Sequence, residues 1–395
     1  MNQRWVVVFC GLLMSLSAFS TDITLPAFPD MVREFETPYS YVQWTVTVYI
    51  FSAGAGQLIW GSVSDRFGRK PTLFIGLSIF LAGQLLAVFA PTIELLLLAR
   101  VVQGLAAAAA IVGNRAILRD LFSGKELARN MAMASAVFAI GPMLAPLIGA
   151  VIAQYSGWRM IFFAMTCLTA FLILMLSFMK ETSNERDVHA LRPSRIQSNL
   201  IALFSNAQSR FFLLTSMLAM AFLILLLTGA APVYETEFGI TGIQFALLFA
   251  VHGLGIIGGQ ILNRRLIHSI GVVPSVIVAS SVMAVMTGIF LALTVGDLLT
   301  VFVLPILLAL ANGGFLVFYS NATSLVLDPH HDKAGFAVSI FGFTTQMGGA
   351  AIASVLVYFS NDNAFGMSSM MFSLAVLILV TLLGWHTRKQ PVREV

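Results

Sequence analysis

Residues 61–71 read GSVSDRFGRKP, a short charged segment between two apolar runs at 41–62 and 72–90. Each run is close to the ~20 residues that a helix needs to cross a bilayer. The segment carries the cations Arg66, Arg69 and Lys70 and one acid, Asp65. Because positively charged loops are retained on the cytoplasmic side of a membrane, the segment predicts a cytoplasmic turn between two transmembrane helices.

The composition extends this prediction to the whole chain. Of its 395 residues, 58% are hydrophobic and only 10% are charged. Soluble domains carry roughly a quarter charged residues, so this class of protein is excluded and the lipid bilayer is the expected surrounding. The net charge of +4 lies in short loops, which indicates topology and no nucleic-acid partner. Two cysteines in apolar runs give no disulfide framework, and we predict no metal and no cofactor.

Twelve apolar runs of spanning length follow one another along the chain, and they predict an all-α membrane protein. Their approximate bounds are 5–27, 41–62, 72–90, 93–118, 130–153, 159–179, 210–233, 242–263, 272–295, 297–320, 334–359 and 365–386. A polar stretch separates the sixth run from the seventh. We therefore predict an N-terminal six-helix bundle over 1–180, a cytoplasmic linker over 181–209 and a C-terminal six-helix bundle over 210–395.

The distribution of basic residues tests the orientation of these spans. If the N-terminus is cytoplasmic, 18 of the 22 lysines and arginines fall in cytoplasmic segments. Arg33 and Arg159 fall on the outer side, and Arg100 and Arg115 fall within the fourth span. This asymmetry predicts that both termini are cytoplasmic.

The basic segment contains residues suited to a gate. Gly61 and Gly68 allow close backbone approach and a sharp turn. Asp65 and Arg69 can pair at the cytoplasmic rim and form, with Arg66, a charge latch that holds an inner gate closed. The alternative is a basic anchor that carries one acid for balance.

Asp22 and Arg100 are ionisable residues within predicted spans, where a charge is costly and a functional role is the default hypothesis. Both lie at similar depth from the outer surface, so they can neutralise each other. A helix movement that changed this pairing would let Asp22 bind or release a proton. The alternatives are a static ion pair that fixes packing, or an Asp22 carboxylate at the wet outer interface.

Other polar residues fall within spans, and some of them are expected to face a central substrate cavity. The candidates are Tyr49, Gln57, Gln103, Asn114, Arg115, His252, Asn312 and Gln346. Helix-to-helix hydrogen bonding is the alternative for each of them. The C-terminal half carries its acids only at the predicted outer ends of spans, so proton coupling is expected in the N-terminal half.

Three segments of the chain resemble motifs of the major facilitator superfamily. GSVSDRFGRKP matches its G-x-x-x-D-R-x-G-R-K signature at every defined position, and LLLARVVQG at 96–104 resembles its L-x-x-x-R-x-x-Q-G motif. GPMLAPLIGA at 141–150 resembles the antiporter signature G-x-x-x-G-P-x-x-G-G through Gly141, Pro146 and Gly149, with alanine at the two other glycine positions.

With TDITLPAFPDM at 21–31 and RAILRDLF at 115–122, the chain is most similar to the twelve-span drug–proton antiporters of the bicyclomycin and chloramphenicol resistance group. This resemblance implies a monomer in the bacterial inner membrane that exports small molecules against proton entry by alternating access. It also implies that Asp120 is the third partner of the latch. Proton coupling is then assigned to Asp22 and Arg100.

Other functions stay open at this point. A dedicated exporter of one endogenous metabolite, such as a siderophore, would carry identical motifs. A proton-driven importer and a non-transporting membrane sensor are further alternatives. No nucleophile–base set is found, so no enzyme activity is predicted.

Overall fold

The computed structural model describes residues 3–183, 203–359 and 362–389, together with residues 197 and 201. Nearly all of these residues are helical. The helices are α1 (Gln3–Asp22), α2 (Phe28–Phe35), α3 (Tyr39–Phe67), α4 (Arg69–Val88), α5 (Ile93–Leu121), α6 (Gly124–Ser156), α7 (Arg159–Ser177), α8 (Ala207–Phe238), α9 (Gly242–Ile270), α10 (Val272–Val295), α11 (Val303–Leu327), α12 (Ala334–Phe359) and α13 (Ala364–Lys389).

The predicted all-α membrane fold is confirmed, and each predicted apolar run coincides with a helix. Among the described residues, 11 helices are long and apolar enough to cross a membrane. The predicted fifth run, 130–153, lies in the 33-residue helix α6. The total of twelve spans and the cytoplasmic location of both termini stay predictions. The tenth run begins later than predicted, at Val303, and Asp297, at its predicted start, lies with a left-handed φ of 53° in the turn that follows α10.

The first span is broken, which the predicted run 5–27 did not include. Helix α1 ends at Asp22, a 3-10 turn covers Leu25–Ala27, and α2 continues to Phe35. Pro26 explains the break, since it has no N–H for the carbonyl four residues earlier, which is that of Asp22. Beside the break, the Thr24 hydroxyl donates to the carbonyl of Thr21 over 2.9 Å.

The helices form two groups, and only a few helix pairs connect one group with the other. Helices α1–α7 pack mainly on one another, and so do α8–α13; the groups meet chiefly along the pairs α3/α12 and α6/α9. Glycines allow this approach, because a Cβ on Gly54 would lie 3.0 Å from the side chain of Gln346, and one on Gly253 would lie 3.0 Å from Met143. The proposed bundle boundaries stay a prediction, since most of the linker lies outside the described residues.

We call the end of the molecule that carries residues 61–71 the basic end, and the other the opposite end. Helices α1 and α4 run away from the basic end, whereas α3 and α5 run toward it. Asp22, the last residue of α1, therefore lies toward the opposite end. Arg115, six residues before the end of α5, lies toward the basic end.

Candidate functional site

A cavity of about 340 Å³ lies between the two groups of helices. Both groups contribute polar side chains to a wall that is otherwise apolar. The polar residues predicted for a cavity that do line it are Tyr49, Asn114, Arg115, His252, Asn312 and Gln346. Asp22 lines it as well, together with Ser17 and Thr21.

Asp22 is enclosed by protein and has one hydrogen-bonding neighbour. Its side chain is 3% exposed, and the Thr21 hydroxyl lies 2.9 Å from Oδ1 as a donor. The interpretation of a wet interfacial carboxylate is therefore not supported. The broken helix leaves Asp22 at the end of α1, at a discontinuity of the kind that forms substrate and ion sites in transporters.

The expected pairing of Asp22 with Arg100 is not found. None of the ion pairs among the described residues joins them. Arg100 instead donates to the carbonyl oxygens of Thr45 at 2.9 Å and Ser20 at 3.0 Å, and to Oε1 of Gln103 at 2.7 Å. Its guanidinium lies 4.4 Å from the ring centroid of Tyr49, a cation–π distance. Uncharged groups thus stabilise the buried guanidinium of Arg100, which needs no carboxylate partner.

Gln103 and Gln57 lie elsewhere than predicted. Gln103 is outside the central cavity, because its amide accepts from Arg100 and donates to the carbonyl of Gly83 at 2.9 Å. Gln57 donates to Oε1 of Gln346 at 3.0 Å, across the α3/α12 contact. It lines a smaller cavity of about 130 Å³ toward the basic end.

Two buried amides in the wall of the central cavity carry atoms without hydrogen-bond partners. Within the described part of the chain, Oδ1 of Asn114 has no hydrogen-bond partner, and neither has Nδ2 of Asn312. Both residues are at most 2% exposed. A buried polar atom left without a partner costs about 1–3 kcal/mol, so these two atoms are candidate contacts for a bound molecule.

His252 adds a ring to the same wall. Its Nδ1 lies 2.8 Å from the carbonyl oxygen of Phe249, and the two rings lie 4.1 Å apart, centroid to centroid. These contacts fix the ring against α9 and leave its other edge toward the cavity.

Arg115 differs from Arg100, although both are on α5. Its side chain is exposed, it lines both the central cavity and the smaller one, and within the described structure it makes no hydrogen bond or ion pair. An unpaired cation at this depth in a membrane helix is a candidate for substrate binding.

At the basic end, the structure brings Asp65, Arg69 and Asp120 together. Arg69 donates to Oδ1 of Asp65 at 2.8 Å and from Nε to Oδ2 of Asp120 at 2.8 Å. The Arg69 and Asp120 side chains are 12% and 18% exposed, whereas Asp65 is 57% exposed. Arg66 is exposed and lies over the ring of Phe67, apart from this triad. Gly61 faces Ser339 of α12, at the junction of the two groups.

Glu181 completes this end, and the sequence analysis missed it. Its carboxylate accepts from the backbone N–H groups of Arg69 at 2.9 Å, Lys70 at 3.1 Å, Thr182 at 2.9 Å and Ser183 at 3.0 Å. These bonds hold the pKa of Glu181 below its usual range, against the opposing effect of burial. Its carboxylate also occupies the space beside Gly68, where a Cβ would lie 2.6 Å from Oε2.

Glycines in α6 support the broken helix. A Cβ on Gly149 would lie 1.8 Å from the carbonyl oxygen of Ile23, and one on Gly141 would lie 3.3 Å from the ring of Phe19. Helix α6 continues through Pro146, and Pro142 lines the central cavity. The antiporter-type segment therefore packs directly against the turn that follows Asp22.

Hydrogen bonds also join the two groups at the opposite end. The Tyr39 hydroxyl donates to the Glu235 carboxylate. Gln43 donates over 3.3 Å to both the carbonyl of Thr228 and Oδ1 of Asp362. Burial raises the pKa of Asp362, and this bond from Gln43 lowers it in part.

Residues 10–354 match the profile of the Major Facilitator Superfamily. The chain belongs to this superfamily. As a superfamily member it is a multi-pass membrane transporter and not an enzyme. It is 26% identical to a bicyclomycin resistance protein homolog of Haemophilus influenzae, covering 96% of the chain and 95% of the relative.

A second relative, multidrug resistance protein D of Escherichia coli, is 26% identical over 96% of each chain. The predicted resemblance to the drug-resistance group is thereby confirmed. The fold is also that of the xylose transporter XylE of E. coli, solved in a partially occluded inward-open conformation. That structure superposes with a TM-score of 0.76 at 13% identity over 99% of each chain, which is a likeness of fold alone.

Proposed function

We propose that this transporter is a proton-coupled antiporter that exports drug-like small molecules by alternating access. It works as a monomer in a bacterial inner membrane, with both termini in the cytoplasm. The observation that carries the proposal is Asp22, a carboxyl group that lines the central cavity and has no cationic partner among the described residues.

Asp22 is suited to carry the proton because its protonated and deprotonated states differ strongly in free energy. A carboxylate enclosed in low-polarity surroundings without a counter-ion is expensive, and taking up a proton removes that cost. A donor on a bound molecule would remove it equally well. Proton and substrate then compete for one group, which is the requirement for exchange.

Arg100 has a positioning role in this proposal. Its guanidinium joins the carbonyl and hydroxyl of Ser20, two residues before Asp22, to Thr45 of α3. It thereby ties the end of α1 to α3 and α5. A movement of either helix is transmitted to Asp22 through these bonds.

The cycle follows from these contacts. With the cavity open to the cytoplasm, substrate binds and Asp22 is deprotonated. Opening to the outside releases substrate and lets Asp22 take up a proton. The return step carries the proton inward, and the Asp65–Arg69–Asp120 latch, which joins α3, α4 and α5 at the basic end, steadies the outward-facing state.

The driving force is sufficient for useful export. One pH unit supplies about 1.4 kcal/mol per proton. A membrane potential of 100 mV adds about 2.3 kcal/mol per charge moved. Together these support a concentration ratio of a few hundredfold per proton.

The test uses inverted membrane vesicles that hold an acid interior and a pH-sensitive dye. We expect cationic and neutral drugs to cause proton release from vesicles that carry the wild-type protein, and no release from vesicles that carry Asp22→Asn. Asp30→Asn is the matched control, because Asp30 lies on the same segment and pairs with Arg33 at the surface. An Asp22→Asn protein that still drives drug-dependent proton release would refute the proposed coupling.

A further inference from the structure

The central cavity has one unpaired ionisable group of each sign. Asp22 is acidic and lies toward the opposite end, and Arg115 is basic and lies toward the basic end. Neither forms an ion pair within the described residues, where each acid–base contact involves other side chains. The buried Asp22 and the exposed Arg115 thus line the same cavity without contacting each other.

Few other charged groups surround Arg115. Arg119 lies one turn further along α5 and lines only the smaller cavity, and Tyr319 of α11 is the titratable group that interacts with Arg115 from the second group of helices. No carboxylate of the described residues reaches it. The positive charge of Arg115 is therefore available to a molecule in the cavity.

The two unpaired amide atoms add directional contacts between these charges. Asn114 offers an acceptor beside Arg115 on α5, and Asn312 offers a donor from the facing helix α11. A molecule that bonds both would lie across the cavity, because the two asparagines come from different groups of helices. The remaining wall, which includes Met220, Leu227 and Phe315, is apolar.

We infer that the preferred substrates are hydrophobic zwitterions of about dipeptide size, whose amine binds Asp22 and whose acidic group binds Arg115. This inference rests on the proposed antiport and adds the substrate class. The volume of about 340 Å³ agrees with it, since that is at the small end of the range of small-molecule pockets.

A zwitterion also fits the coupling better than an anion would. An anion at Arg115 alone would leave the Asp22 carboxylate unpaired and would favour its protonation, so anion and proton would bind together. The amine of a zwitterion competes with the proton for Asp22, as exchange requires. The charges of both Asp22 and Arg115 are neutralised in the loaded state.

The test uses four forms of one probe with the full-length protein in detergent at neutral pH. They are phenylalanyl-phenylalanine, its C-terminal amide, its N-acetyl derivative and the doubly blocked form. Binding is measured as the ligand-dependent rise in the midpoint of thermal unfolding, which yields a Kd. Because a charge-assisted hydrogen bond is lost at each blocked end, we expect each single block to raise the Kd roughly tenfold or more.

Variants assign each end of the probe to its residue. In Arg115→Gln, the amide and the free dipeptide should bind within about twofold of each other, while N-acetylation keeps its effect. In Asp22→Asn the pattern should be reversed. Arg119→Gln is the matched control and should reproduce the wild-type series.

The outcomes separate this inference from the antiport it rests on. The inference is overturned if the doubly blocked probe binds the wild type as tightly as the free dipeptide, if no probe binds, or if the amide penalty persists in Arg115→Gln. Drug-driven proton release without dipeptide binding would refute the zwitterion class and leave antiport standing. The expected binding series without any proton release would support the class and refute antiport.

Discussion

Glu181 connects the end of the N-terminal group of helices to the segment 61–71, and its removal gives the sharpest test of the basic end. We predict that Glu181→Gln destabilises the protein and loosens the Asp65–Arg69–Asp120 latch. The carboxylate holds the backbone N–H groups that begin α4, including that of Arg69 itself. The latch arginine is thereby positioned from both its backbone and its side chain.

The magnitude follows from four hydrogen bonds to one charged group. Each such bond contributes about 1.5–3 kcal/mol when it is intact. In the glutamine variant, a neutral amide oxygen can still accept from the three N–H groups that bind Oε1. The bond from the N–H of Lys70 to Oε2 is lost, because an NH₂ group takes the place of this oxygen. The site is partly open to solvent, which weakens the loss. We expect a cost of about 2 kcal/mol, or a fall in Tm of roughly 4–8 °C for a unit of about 200 residues.

The effect of Glu181→Gln on the Tm should depend on pH, whereas the effect of a packing defect would not. Because the pKa of Glu181 is lowered in the folded protein, its contribution is present above the unfolded pKa of about 4.3. It is lost as the pH falls through the folded pKa. The Tm difference between wild type and Glu181→Gln should therefore be full at pH 7 and should close below about pH 4.

Thermal unfolding in detergent across this pH range is the assay. Glu126→Gln is the control, because Glu126 is an exposed acid at the same end with no hydrogen bond within the described structure. Equal Tm values for wild type and Glu181→Gln at pH 7 would refute the reasoning. So would a difference that is unchanged at low pH.

Three further predictions concern other parts of the molecule. Asp120→Asn should cost about 2 kcal/mol in unfolding free energy and Asp65→Asn less than about 1 kcal/mol, because Asp120 is the less exposed partner of the latch; a larger effect of Asp65→Asn in thermal unfolding would contradict this. Gly149→Ala should abolish drug-dependent proton release in vesicles, whereas Gly258→Ala, which has nothing within 4 Å, should retain it. At pH values above about 3.9, the pKa of Asp in the unfolded chain, Asp362→Asn should raise the Tm. The raised pKa of Asp362 shows that its negative charge destabilises the folded protein, and the asparagine removes that charge. The gain in Tm should vanish at lower pH, where Asp362 is protonated in both states.

The sequence predicts the helices well because the bilayer imposes one simple requirement, a long apolar run for each span. The pairing of Asp65 with Arg69 could be predicted from their places in one short charged segment, whereas Asp120 was predicted as their third partner only through the resemblance to the superfamily motifs. The break after Asp22 could have been predicted from Pro26, because proline removes the hydrogen bond to the carbonyl four residues before it.

The missed features depend on contacts between distant segments. Glu181 follows the sixth span and reads as one of several linker acids, and nothing local indicates that it binds backbone groups 112 residues earlier. Arg100 and Asp22 share a predicted depth, but depth does not fix which way each side chain turns. In this fold the carbonyls of Thr45 and Ser20 occupy the donors that were assigned to the carboxylate.

The close contact of Gly149 with the carbonyl of Ile23 has a consequence for how this transporter can evolve. The position of Asp22, the proposed proton-binding group, depends on this close contact with the backbone of another helix. Laboratory selection for an altered range of exported compounds should therefore leave Asp22 unchanged. It should instead accumulate substitutions at small residues of α6 that are packed less tightly than Gly149, such as Gly141, where an added methyl group would lie 3.3 Å from the ring of Phe19 and would shift α1 without removing the carboxyl group.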